Sequence, residues 1–76
     1  MNEEVCRIIA EALEVKRVTP EDNVDTVEGW DSLGTLNVLM ALEKHYGPKV
    51  ASISDLAQVR SVKEILDLLK REAIIT

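Results

Sequence analysis

The residues best placed to do chemistry are Asp31 and Ser32, in the run Glu28-Gly29-Trp30-Asp31-Ser32-Leu33-Gly34-Thr35-Leu36. Here a loop hands over to an amphipathic helix, with Asp31 as N-cap and Ser32 at the first helical position. A hydroxyl placed there is accessible, held on a rigid element and close to the positive end of the helix dipole. It becomes a nucleophile only if something else supplies the base. The single His, His45, falls with Lys44 in the last turn of the same helix, where positive charge complements the dipole, so it has a structural explanation. One His and scattered carboxylates make no acid, base and nucleophile constellation, and the chain is read as a non-enzyme. A Ser at a helix start ordinarily only helps to cap it, and Asp-Ser alone does not separate that role from a modification site.

The elements around this position follow from apolar spacing. In the first helix, Val5, Ile8, Ile9, Ala12 and Leu13 share one face, Asn2 is the expected N-cap, Glu3 and Glu4 fill the first turn, and the end is expected near Glu14. Cys6 lies one step off that face and reads as a half-buried structural thiol. Residues 15 to 31 form a long connection, pinned by Val15, Val18, Val24, Val27 and Trp30, with Thr19-Pro20-Glu21-Asp22 as one short turn that Thr19 caps. The second helix is expected from Ser32 to Tyr46, with Leu33, Leu36, Leu39, Met40, Leu42 and Tyr46 as its apolar stripe. Gly47-Pro48 stops it, Gly47 by permitting a left-handed cap. Ser54-Asp55-Leu56-Ala57 makes a brief third helix. Ser61-Val62-Lys63-Glu64 matches a capping box, and Val62, Ile65, Leu66, Leu68 and Leu69 carry the last helix to about Glu72, with residues 73–76 expected to fray.

Composition sets the bounds. Seventy-six residues are expected to make one domain, 1–76, since so short a chain cannot divide its core. One Cys and one His exclude a His/Cys metal site and an internal disulfide. A net charge of −5 and a pI near 4.7 argue against nucleic-acid binding and fit basic protein partners or simple solubility. No run reaches the roughly 20 apolar residues of a membrane helix, and the start lacks the features of a signal peptide, so a cytoplasmic protein without membrane insertion, and monomeric, is expected. With no Phe, the core is largely Leu, Ile and Val, which an inserted chain can part more readily than stacked rings, although a small helical core is as often simply aliphatic.

The order of these features resembles the acyl carrier proteins: a first helix, a long loop, Asp31-Ser32-Leu33 opening the second helix, Met40-Ala41-Leu42-Glu43 running on to Tyr46-Gly47, a short third helix, and Ser61-Val62 opening the last. The resemblance implies an all-α fold, a four-helix bundle of three main helices and one short helix. It implies that Ser32 carries a covalent 4′-phosphopantetheine arm taken from coenzyme A, and that Asp31 assists the magnesium-dependent phosphopantetheinyl transferase. The resulting phosphodiester would lie at a helix N-terminus, which tolerates an anion. Acyl groups would ride on the arm's thiol as thioesters between ligase, synthase and transferase enzymes. The residues implied for partner binding are Leu33, Gly34, Asn37, Met40 and Glu43. Those implied for the acyl cavity are Val38, Leu42, Leu56, Val59 and Ile65, which without the resemblance read simply as core.

Two departures shape the expectation. Gly34 and Asn37 stand where carriers of fatty-acid synthesis have acidic residues, and the stretch from Ala51 to Arg60 is shorter than the family's third-helix region. The first points to a specialised carrier serving a lipid, polyketide-like or other acyl pathway, docking weakly and partly through charge; the second bears on the size of the cavity and the length of the acyl chain. An aminoacyl or peptidyl carrier, and an unmodified interaction module of the same fold, are the alternatives.

Overall fold

In the computed structural model, which describes residues 2–75, three α-helices enclose an aliphatic core: α1, Asn2–Leu13; α2, Ser32–Tyr46; and α3, Val62–Arg71. The segment between α2 and α3 forms two 3-10 turns, Pro48–Ser52 and Ser54–Gln58, the second at the place expected for the short third helix. The architecture is the all-α one expected, with a long loop between α1 and α2. A single isolated bridge, Asn23 to Ser61, is the only extended pairing among the described residues.

α1 buries the expected face through Val5, Ile8, Ile9 and Leu13, and adds Cys6 and Ala10. Cys6 is therefore deeper than half-buried. Burial raises its thiol pKa, and the nearby carboxylates of Asp22 and Glu21 raise it further, which keeps it protonated and inert. Asn2 is the first helical residue rather than the cap, and the residue before it lies outside the described residues. At the other end, the amides of Val15 and Glu14 bond back to the carbonyls of Ala10 (3.0 Å) and Glu11 (3.2 Å), with Glu14 at φ +59°. That double closure is a Schellman motif built without glycine.

α3 ends the same way. Ile74 bonds to Leu69 at 2.9 Å and Ala73, at φ +59°, bonds to Lys70 at 3.0 Å. The expected fraying is corrected here for residues 73–75, because the motif turns the chain back and buries Ile75 in the core; Thr76 lies outside the described residues. At the start of α3, Ser61 Oγ accepts from the Glu64 amide (3.1 Å) as expected, but the Glu64 carboxylate accepts from the Arg60 amide (2.7 Å) instead of that of Ser61. Ser61 is extended there, at φ −152° and ψ 157°, where it bridges to Asn23.

The long loop is pinned where expected. Val18, Val27 and Trp30 are buried in the core, and Val15 and Val24 pack against that core. The turn at Thr19–Asp22 forms with its cap reversed: Asp22 Oδ2 accepts from the amide (2.8 Å) and the hydroxyl (3.2 Å) of Thr19. The acidic side chain is the better acceptor, so it takes the capping role. Two bonds tie the loop to the approach to α3, from the Val24 amide to the Arg60 carbonyl (2.9 Å) and from the Val62 amide to the Asp22 carbonyl (3.0 Å).

α2 has the expected bounds and a different interior face. Gly34, Thr35, Val38 and Leu42 are buried, whereas Leu33, Leu36 and Met40 point to solvent and Leu39 and Tyr46 are half-buried. The expected stripe is thereby split. α2 is apolar over most of its circumference, so spacing alone selected Leu33, Leu36 and Met40 as readily as Leu42, whereas burial falls on Gly34, Thr35, Val38 and Leu42. Gly47 caps the helix at φ +97° and ψ 176°, outside the left-handed helical well and in a region open essentially only to glycine.

Candidate functional site

The site is assembled at the start of α2 by a cap and a lock. Asp31 is extended, its Oδ1 accepts the Gly34 amide at 2.9 Å, and its carbonyl accepts the Thr35 amide at 2.8 Å. This is the N-cap geometry expected of it, and it leaves Ser32 exposed at the first helical position. One turn on, the Trp30 indole N–H donates to Thr35 Oγ1 at 2.9 Å, with both groups buried. The loop residue before the cap is thus fastened to the helix residue after it. A buried polar pair of this kind fixes geometry, because breaking it would strand an indole N–H without a partner.

Gly34 completes the assembly from within. A Cβ built on it would come within 2.7 Å of the Gly29 carbonyl oxygen and 2.9 Å of Leu13 Cδ2. The loop and α1 approach α2 at this point, and only glycine fits without something moving. Gly34 is buried, which corrects its expected placement on the partner-facing surface. The other residues expected at that surface, Leu33, Asn37, Met40 and Glu43, are all exposed, and Leu36 joins them. No acidic residue stands in the first turn of α2.

An open cleft of about 420 Å³ borders Ser32, between the start of α2 and the chain that follows the second 3-10 turn; Asp31, Thr35, Gln58, Val59 and Arg60 line it. Beyond Ala57, a residue common to both, lies an apolar groove of about 240 Å³ whose walls include Leu36, Leu39, Met40, Ile53 and Leu56. A third cleft of about 460 Å³ lies against α1 and shares no lining residue with the one at Ser32.

The five residues expected around an acyl chain fall into one buried cluster: Val38, Leu42, Leu56, Val59 and Ile65 are each no more than 5% exposed. Val59 borders the Ser32 cleft and Leu56 the apolar groove. Val38, Leu42 and Ile65 border none of these spaces and fill the core behind them. The chemistry the arrangement supports is presentation: an exposed hydroxyl on a fixed helix end, beside an Asp31 carboxylate that caps the helix. His45 sits thirteen residues further along α2, roughly 20 Å away at the rise of an α-helix. Among the described residues no His, Cys, Asp and Glu side chains group to hold a metal, and no helix is long and apolar enough to cross a membrane.

Sequence reasoning found the cap and the exposed Ser. It missed the Trp30–Thr35 lock, the packing role of Gly34, and the placement of Gln58 and Arg60 beside Ser32. The one usable signal was a Trp two residues before Ser32, since a buried indole requires a hydrogen-bond acceptor.

The sequence pattern of the family described as the phosphopantetheine attachment site matches residues 3–69. A protein named acyl carrier protein from Syntrophobacter fumaroxidans (strain DSM 10017 / MPOB) is 36% identical over 73 residues, covering 93% of this chain and 89% of that protein. No solved structure gives a significant match.

Proposed function

Because the chain belongs to the acyl carrier proteins, whose prosthetic group is a covalently attached phosphopantetheine, we propose that Ser32 bears that 4′-phosphopantetheine in a carrier that moves acyl intermediates for a lipid or polyketide-like pathway. Members of this family carry rather than catalyse, and they meet a phosphopantetheinyl transferase and acyl-processing enzymes. The observation that carries the site assignment is the exposed Ser32 hydroxyl at the first position of α2, its orientation set by the Asp31 cap and the Trp30–Thr35 hydrogen bond.

The residues around Ser32 suit the group. The cleft beside it has room for a flexible chain, and the helix end favours the phosphodiester. In loading, the Ser32 oxygen forms one P–O bond while the pyrophosphate of coenzyme A loses another. The transferase accepts the hydroxyl proton, and the nucleotide half of coenzyme A leaves. Asp31 positions Ser32 by capping α2 and would assist the magnesium-dependent transferase there. When attached, the arm supplies a thiol on which acyl groups travel as thioesters.

For docking, Leu33, Leu36 and Met40 offer an apolar patch, and Asn37 and Glu43 stand beside it. With no carboxylate in the first turn of α2, this surface relies less on basic patches than a carrier with an acidic first turn, which supports a specialised pathway. An acyl chain would pass Val59 or Leu56 and part the core at Val38, Leu42 and Ile65.

The test is intact mass after incubation with coenzyme A, magnesium and a broad-specificity phosphopantetheinyl transferase, beside Ser32→Ala. Wild type gains one phosphopantetheine, while Ser32→Ala keeps its fold by circular dichroism and gains nothing. An Ala variant that still acquires the arm overturns the assignment.

A further inference from the structure

We propose that Arg60 pairs with the phosphodiester at Ser32 and draws the near half of the arm into the cleft between the start of α2 and the chain after the second 3-10 turn; this rests on Ser32 being the attachment residue. Among the residues lining that cleft, Arg60 is the single cation and Asp31 the single anion. Asp31 Oδ1 is already committed to the Gly34 amide. The ion pairs among the described residues all involve Arg71, with Asp55 and Glu72, so Arg60 takes part in none.

The Arg60 backbone is fixed from both sides. Its amide donates to Glu64 Oε1 at 2.7 Å and its carbonyl accepts the Val24 amide at 2.9 Å, which leaves an exposed side chain on an immobile base at the cleft wall. A guanidinium matches phosphate oxygens through paired N–H donors, better than a point charge does. In a chain of net charge −5, an anion added at Ser32 would otherwise meet only the helix end, and Arg60 supplies the opposite charge locally. The exposed amide of Gln58, in the same wall, can donate to and accept from the amides of the arm. An exposed pair of this kind is weak, so the arm rests in the cleft and still leaves readily for an enzyme.

The test uses wild type, Arg60→Gln and Arg60→Lys, each loaded fully with the arm and checked by mass and by peptide mapping at Ser32. Phosphorus NMR at low and high salt reads the phosphodiester, and proton NOEs from the arm's geminal methyls to Gln58 and Val59 read the docked chain. The docked population is expected to fall about two- to fivefold in Arg60→Gln, from the usual strength of exposed charge pairs. Its phosphorus resonance should match that of wild type at high salt, while Arg60→Lys should keep part of the salt-dependent shift. Superimposable phosphorus spectra and equal NOEs in wild type and Arg60→Gln would overturn the pairing while leaving Ser32 as the attachment site. A wild type that takes up no arm at Ser32 overturns the site assignment itself and the pairing with it.

Discussion

The two faces of α2 use the same kind of residue to opposite ends. Val38 and Leu42 are wholly buried, while on the opposite side of the same helix Leu33, Leu36 and Met40 are 65%, 51% and 59% exposed. The inner face also holds the two unusual choices, Gly34 and Thr35, and both serve the position of Ser32 by gripping the loop that precedes it. The outer face makes no such demands and is free to be read by other proteins. A helix apolar on both sides is costly to leave uncovered, which is why the exposed side argues for transient partners.

The sharpest way to break this comparison is to truncate one leucine from each face. Leu42→Ala should cost about 2–5 kcal/mol in urea unfolding, enough to unfold much of so small a protein, whereas Leu36→Ala should stay within about 0.5 kcal/mol while weakening enzyme docking. Equal losses would show that α2 has no free face. A smaller effect comes from the lock. Thr35→Val keeps the volume but strands the Trp30 indole, and about 1–3 kcal/mol should be lost, accompanied by a shift in Trp fluorescence.

Gly34→Ala tests the sign of the inner-face argument. Helix propensity alone favours Ala by about 1 kcal/mol. The approach of Gly29 and Leu13 opposes it at about 1–3 kcal/mol. A net loss on the order of 1 kcal/mol by chemical denaturation is expected, and a stabilised variant would mean that the loop gives way easily.

The smallest effect is in the loop that the inner face grips. The Thr19 amide, and after it the Thr26 hydroxyl, hold the Asp22 carboxyl below its ordinary value of 3.8. The folded pKa is the lower one, so this contribution is complete above the unfolded value and disappears as pH falls through the folded value. Asp22→Asn should therefore be slightly less stable than wild type at neutral pH. The gap should close in acid titrations below pH 3.8.

The comparison also explains what the sequence made legible. The bounds of α2 could be read from Asp31 and from Gly47-Pro48 because caps and stops are local chemistry. Its inward side could not, because Leu33, Leu36 and Met40 satisfy a helical period as well as Val38 and Leu42 do, and only the placement of α1 distinguishes them. The same holds at the site. Asp31 and Ser32 are neighbours in the chain and were visible as a cap and a hydroxyl, while Arg60 reaches the same cleft through a bridge between distant segments that no spacing rule encodes. At the end of α3, a left-handed Ala73 gave no glycine signal, so the return of Ile75 to the core was hidden.

The bridge between Asn23 and Ser61 has a further consequence for how the molecule opens. A long surface connection ordinarily breathes by itself and is the first place a protease cuts. Here the amides of Val24 and Val62 are each held by a carbonyl from the other segment. The connection cannot swing away unless the entrance to α3 lets go, and α3 is anchored in the core by Ile65 and Leu69. Those two amides should consequently exchange hydrogen as slowly as the core helices, in one cooperative unit with them. The connection that leads to the start of α2 is thereby tied at residues 22–24 to the entrance of α3 and does not hang as a free loop.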